Sequence, residues 1–411
     1  MTPNTTERPI GIDDLSFSTT HYRLDQDVLA SRLGVDAAKL HTGLGQDAFS
    51  VPATDEDIVT MAATAAQPII ARHGPERIRT ILFATETGVD QSKAAGLYVH
   101  GLLGLPATCR VVELKQACYS ATAALQFATA LIARDPGQQV LVLASDIAKY
   151  QLGSEGEPTQ GAAAAAMLVT ADPAVLRIDP CSGVYSEDIS DFWRPNYRTE
   201  AVVDGKLSID AYKRATREAF ADYQRRGGRY LDQFAAFCYH QPFTKMAYKA
   251  HRHLLEHAGT PGPDGDSRTT TDASDSATDA ADLDAALAAT THYNRAIGNS
   301  YTASAYLALA SLLDHRKDLA DQPIAVISYG SGAVAEFFGG TVVPGYRDHL
   351  RTTANAHAIA RRQPIDYQHY QRLHHESDLT DDADRKIEQQ TTAPYRLAAI
   401  ADHQRIYEAT I

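Results

Sequence analysis

Four side chains stand where chemistry is cheapest to build, at the ends of strands and the starts of helices. Cys118 follows the strand-like Val111–Leu114 and comes just before an Ala-rich helical stretch. The positive end of a helix dipole favours a thiolate and so a nucleophile. Small neighbours (Ala117, Ser120, Ala121) leave room for a substrate carbonyl. A buried structural thiol fits that spacing equally well. Cys109, Cys181 and Cys238 lie in or beside apolar stretches and read as such packing thiols. Glu86 ends an otherwise apolar strand, where a desolvated carboxylate gains the raised pKa of a general base. His240 ends another strand and faces the crevice in which α/β folds place ligands. Its imidazole suits proton exchange near neutral pH. Asn299, just before a second apolar helix, is placed to donate to a developing oxyanion.

The elements that must carry these residues repeat. A helix from Cys118 onward leads through a polar turn to the strand Val140–Ala144; a helix from Ser300 leads to Ile324–Ser328. After each come a glycine loop and a further apolar strand, Ala162–Thr170 and Ala333–Val343. Upstream, Arg79–Thr85 and Phe234–Tyr239 form a third pair. Continuous apolar strands between helices indicate sheets covered on both faces. The two central helices are apolar nearly all round and should be buried between layers. This predicts an α/β molecule of two similar halves, 1–172 holding Glu86 and Cys118 and 173–411 holding His240, Asn299 and Ser331. From about Arg351 onward the sequence reads as surface helices.

Composition narrows the class. The 411 residues are 44% hydrophobic and 22% charged, ordinary for a globular enzyme, with a net charge of −13 that argues against nucleic acid. The N-terminus MTPNTTERPIGIDD lacks the basic flank and apolar core of a signal peptide. The longest apolar run, around Ala162–Val169, is too short to span a membrane. Four cysteines without CxxC spacing fit a reduced, cytoplasmic protein. Residues 259–284 hold seven aspartates and one arginine, −6 of the total charge, and read as a solvated acidic loop.

With these segments in view, the chain resembles the bacterial 3-hydroxy-3-methylglutaryl-CoA synthases of the mevalonate pathway, a branch of the thiolase superfamily. The matching motifs are ATETGVDQSKA, ELKQACYSATAAL, GEPTQGAAAAAML, SEDISDFWRP, VDGKLSIDAY, FCYHQPFTKMAYKA, YNRAIGNSYTAS and ISYGSGAVAEFF, in family order. The resemblance implies a five-layer αβαβα thiolase-like fold, a homodimer, and acetyl-CoA and acetoacetyl-CoA as substrates with no further cofactor. It implies that Cys118 takes the acetyl group, Glu86 removes a methyl proton, and His240 polarises the acceptor ketone and donates a proton to the alkoxide. Asn299 would orient the acceptor, and backbone N–H groups of Cys118 and Ser331 would form the oxyanion hole. Thr159 and Ser208 match hydroxyl donors to acyl-CoA; Lys245 and Lys249, i and i+4 on a helix, match cations near CoA. Asp146, Asp191, Phe192 and Tyr329 would shape and dry the pocket behind them.

Gln241 departs from the family's smaller residue and could alter access beside His240; the acidic 259–284 segment has no counterpart. Other signals are weaker. His253 and His257 have zinc-pair spacing with no third ligand apparent, so no metal site is assigned. Gly330-Ser331-Gly332 is not a GxSxG elbow, and Gly43 to Gly45 is not a dinucleotide loop. Two other readings compete. One is a β-branching synthase acting on carrier-protein-bound ketones in polyketide assembly; the other is a non-catalytic thiolase-fold scaffold. A ketoacyl synthase has no need for Glu86.

Overall fold

In the computed structural model of the chain, residues 8–257, 278–376 and 383–410 are described, the side chains of 278–282 excepted. Nine strands form the main sheet in the order Phe237–Tyr239, Pro323–Gly330, Val334–Val342, Leu176–Ser186, Ile10–Thr19, Gly161–Ala171, Gln139–Ala148, Ile78–Ala84, Arg110–Leu114. The two ends share a pattern. Parallel neighbours stand at each edge, Phe237–Tyr239 with Pro323–Gly330 and Ile78–Ala84 with both of its partners. Antiparallel strands follow inward. The junction is slight: Ile10–Thr19 meets Leu176–Ser186 through only Gly11↔Arg177 and Ile12↔Leu176.

Side-chain alternation then sorts residues into layers. Val140, Val142, Ala163, Ala165 and Met167 face one core, shared with Ile324, Val326 and Phe338 from the other end of the sheet. The same core takes the helices Ser120–Arg134 and Ser304–His315. The alternate residues Leu141, Leu143, Ala164 and Ala166 pack under the helices Ile58–His73 and Ala95–Leu102. Ala325, Ile327, Ala335 and Phe337 pack under Gly205–Arg225 and Thr244–His257. Helices, sheet, central helices, sheet, helices: this is the five-layer thiolase-like architecture.

Three expectations are corrected. The Ser304–His315 helix is buried on nearly every side, but Ser120–Arg134 buries only the stripe Ser120, Ala121, Thr122, Ala124, Leu125, Ala128 and Ile132. Its far face leaves Phe127 52% exposed, because no described element covers it. The acidic segment is not loop to residue 284: the helix Thr278–Ile297 starts inside it, and residues 259–277 lie outside the described residues. Alanine and leucine between the aspartates give that stretch enough helix propensity. Among the described residues the C-terminal region is helical only at Thr352–Ala360 and Tyr367–Glu376. Beyond them a hairpin, Tyr395–Ala401 with Gln404–Ala409, docks on the N-terminus of Ile58–His73. There Asp57, which caps that helix, accepts from Arg405 at 3.1 Å and from the Tyr407 hydroxyl at 2.6 Å.

Candidate active site

Cys118 sits on a sharp turn between the strand Arg110–Leu114 and the helix Ser120–Arg134. The turn forces Ala117 into the left-handed region (φ 44°), at a cost of about 1–2 kcal/mol for a non-glycine residue. Ser120 braces it, its hydroxyl donating to the Ala117 carbonyl at 2.8 Å and accepting from the Gln116 N–H. The thiol is 8% exposed and donates toward Glu86 Oε1 at 3.7 Å. Here the dipole expectation fails: burial, with Glu86 and Asp146 close by, pushes the thiol well above its ordinary range, so it rests protonated. Glu86 matches expectation. Burial and the nearby Asp146 push its carboxyl well above the usual range, while Arg194 pulls the other way.

Asp146 organises the site from the strand Gln139–Ala148. Fully buried, its Oδ1 accepts from Thr85 Oγ1 (2.7 Å), Glu86 N (2.9 Å), Thr87 N (3.0 Å) and Thr87 Oγ1 (2.6 Å). Its Oδ2 accepts from the N–H and hydroxyl of Thr302. One carboxylate thus fixes both the loop of Glu86 and the approach to the second central helix.

His240, 2% exposed, follows Phe237–Tyr239; its N–H donates to the Ile327 carbonyl and its own carbonyl accepts from Tyr212. Nδ1 has no partner among the described residues. Burial lowers its pKa to about 3, so proton exchange near neutral pH, the sequence expectation, gives way to a neutral ring. Gln241 is turned away from access: it is fully buried and its amide donates to the Thr290 carbonyl.

Asn299 is held by a close crossing of backbones. A Cβ on Gly298 (φ +82°) would lie 1.8 Å from the Gln160 carbonyl oxygen, so only glycine fits. The Asn299 N–H donates to Thr159 O at 3.1 Å. Its Oδ1 accepts from Tyr301 N, which leaves Nδ2 aimed at the Tyr150 hydroxyl at 3.3 Å. The Thr159 hydroxyl itself bonds Gly156 O. Tyr150, Phe192 and Tyr301 pack edge to face around Cys118, with centroids 5.8–6.4 Å apart.

On the far side Asp191, also fully buried, accepts from Tyr329 OH (2.7 Å), Ser208 Oγ (3.1 Å) and Gly332 N (2.9 Å). Ser208 therefore directs its hydroxyl to Asp191, not outward to a ligand. The Gly330–Gly332 turn lies on the nucleophile turn: a Cβ at Gly330 would be 2.5 Å from Gln116 O, and Ser331 O accepts from Gln116 Nε2 at 3.2 Å. Lys245 and Lys249 share one helix, standing over the rings of Tyr248 and Phe243 at 5.0 and 5.1 Å. Neither makes an ion pair among the described residues, which leaves a local cationic patch.

Sequence reasoning missed Tyr150, Tyr301, Arg194 and the left-handed Ala117. Tyr301 lies inside the matched YNRAIGNSYTAS and Arg194 inside SEDISDFWRP, but neither carries a local signal of its role. The other cysteines are free. Cys238 is fully buried as expected, while Cys109 and Cys181 are only half-buried. His253 and His257 gain the third candidate ligand that had not been apparent, Glu256, at the end of Thr244–His257. Lys213 and Arg217 add positive charge beside that group.

Two family models match the chain: the N-terminal model of hydroxymethylglutaryl-coenzyme A synthase over residues 6–174, and the C-terminal model over 176–288 and 266–392. The chain is 38% identical over 399 residues to the hydroxymethylglutaryl-CoA synthase of Enterococcus faecalis, covering 97% of this chain and 99% of that protein. It is 33% identical over 386 residues to the polyketide biosynthesis 3-hydroxy-3-methylglutaryl-ACP synthase PksG of Bacillus subtilis, covering 88% and 87%. A solved structure of MvaS in complex with 3-hydroxy-3-methylglutaryl coenzyme A superposes with a TM-score of 0.88 at 38% identity, covering 98% and 100%.

Proposed function

Because the chain belongs to the hydroxymethylglutaryl-CoA synthase family, we propose that the groups around Cys118 carry out that family's condensation. The reaction takes acetyl-CoA, acetoacetyl-CoA and water to 3-hydroxy-3-methylglutaryl-CoA and CoA. The observation that carries this reading is the enclosed Cys118–Glu86 contact, a nucleophile and a base within one aromatic-walled site.

The Cys118 thiol attacks the acetyl thioester; its proton leaves with the CoA sulfur, and an acetyl-cysteine remains. Glu86, in its ionised fraction, removes a proton from the acetyl methyl group, and the enolate carbon attacks the ketone of acetoacetyl-CoA. His240, kept neutral by burial, meets the ketone oxygen as an N–H donor. The methyl proton taken by Glu86 is the one returned to the alkoxide, directly or by way of the His240 ring as it is reprotonated, so both groups end the step unchanged. Asn299 orients the acceptor, with its amide held by Tyr301 and Tyr150. The N–H groups of Cys118 and Ser331 face the thioester oxygen from two turns already packed together. Thr159, Lys245 and Lys249 serve CoA, whereas Ser208, Asp146, Asp191, Phe192 and Tyr329 support the groups that touch substrate. Water hydrolyses the enzyme-bound thioester and frees Cys118.

The reading extends to a homodimer of the mevalonate (isoprenoid) pathway in the cytoplasm, with no cofactor beyond the CoA thioesters and each chain divided near residue 172. Among the described residues the outer edge of Arg110–Leu114 is unpaired in the sheet order, and Val112, Leu97 and Phe127 are exposed; these support the dimer. Among the described residues no helix is long and apolar enough to cross a membrane. The test is turnover by the purified protein with acetoacetyl-CoA against acetoacetyl carrier protein as acceptor. Efficient use of the CoA form supports the reading. An inert CoA form beside a reactive carrier form would transfer the site to the polyketide alternative.

A further inference from the structure

Arg194 has no assigned role, yet it reaches the proposed base. It follows the short strand Phe192–Trp193, which pairs with Val202–Val203. That strand is pinned at its start by the bonded, buried Asp191 and by the Phe192 ring, seated against Tyr150 and Tyr301. From this anchored position the Arg194 guanidinium donates to the main-chain carbonyl of Glu86. Among the described residues no carboxylate lies within ion-pair distance of it. A half-buried cation that, among the described residues, bonds to the backbone of a catalytic candidate calls for an explanation.

The other grip on Glu86 is Asp146, which accepts the Glu86 N–H. The base is thus held at both ends of its main chain, by an anion at the amide and a cation at the carbonyl. We propose that Arg194 is a positioning residue for proton removal, fixing the Glu86 main chain at its carbonyl as Asp146 does at its amide and setting a positive charge beside the base.

The charge matters because burial and Asp146 work against ionisation of Glu86, and besides Arg194 the hydrogen bond from the Cys118 thiol is what favours it. Burial and Asp146 hold its proton on; the Cys118 thiol, Tyr150 and Tyr301 around it are themselves held protonated by burial. Arg194 is the cation that opposes them. In an enclosed site such a charge acts with little screening. It would let a carboxylate strong enough to take a methyl proton still be ionised at neutral pH.

This inference rests on Glu86 being the base, and the experiment separates the two. Wild type, Arg194→Gln and Arg194→Lys are compared in Cys118 acetylation, by intact mass, and in kcat for condensation across the pH range. Arg194→Gln should still acetylate, which also shows that it folds. Its condensation should fall about ten- to a hundredfold at neutral pH, and the acid limb of kcat should move to higher pH, because the base loses the cation that favours its ionised form. Arg194→Lys should bring the limb most of the way back. An unmoved limb in Arg194→Gln overturns the proposal; so does an equal loss at every pH that Lys does not rescue, the mark of a merely structural contact. A fully active Glu86→Gln enzyme would instead remove the base assignment on which the inference stands.

Discussion

At the scale of single residues, the site couples two groups that each resist ionising. Cys118 and Glu86 meet at 3.7 Å, both driven by burial toward their protonated forms. In the proposed chemistry the thiol must therefore give up its proton as it attacks, and the carboxyl must be ionised before it can take one from the acetyl methyl group. Glu86→Ala should still form acetyl-Cys118 but lose condensation by at least about a hundredfold, measured as product per acetylated enzyme; full turnover would strip Glu86 of its role. Cys118→Ser should form no adduct while melting as a folded protein, whereas loss of solubility would point to packing instead. His240 links the site to stability. Its pKa falls from 6.5 to about 3 on folding. The unfolded chain thus takes up a proton the folded chain refuses, and this contribution is whole above pH 6.5 and lost as pH falls toward 3. His240→Asn should lose less stability than wild type between pH 7 and pH 4.5 in denaturant titrations. An equal loss would mean the ring is not buried neutral.

At the scale of elements, the strands and the central helices were legible because each is a continuous apolar run bounded by glycine or polar turns. The Ser304–His315 helix was read correctly as buried throughout; the Ser120–Arg134 helix was not. Composition reports how apolar a helix is, not whether a neighbour covers every side. The C-terminal hairpin was missed because Tyr395–Ala401 and Gln404–Ala409 alternate only weakly between buried and exposed residues. Cys118, Glu86 and His240, the residues proposed as nucleophile, base and N–H donor, could be placed at their strand ends from the sequence. Their supports could not: the contact of Arg194 with Glu86 spans 108 residues, and that of Thr302 with Asp146 spans 156. Such pairings are products of the tertiary fold. The crossing at Gly298 gives this scale its own prediction. Gly298→Ala must relieve both a positive φ and a 1.8 Å approach to Gln160 O. It should destabilise by at least about 2 kcal/mol and displace Asn299. Chemical denaturation with a change under 0.5 kcal/mol would contradict the tight crossing.

At the scale of the whole molecule, the proposed condensation requires the two ends of the nine-stranded sheet to close on each other. One end brings Glu86, Cys118 and Asp146, and the other brings His240 and Ser331. The joins between them are Thr159 with Asn299, Asp146 with Thr302, and the Gly330–Gly332 turn on Gln116. The charge of −13 takes on a local meaning, since −6 of it sits in residues 259–284 while Lys245 and Lys249 stand without ion-pair partners among the described residues. The central claim, a covalent acetyl-cysteine consumed by condensation, is most directly tested by intact-protein mass spectrometry after mixing with acetyl-CoA, then again after adding acetoacetyl-CoA. The account predicts one acetyl group per chain, located on Cys118, that disappears as 3-hydroxy-3-methylglutaryl-CoA is formed. An unmodified Cys118, or an acetyl adduct that acetoacetyl-CoA leaves untouched, would contradict it.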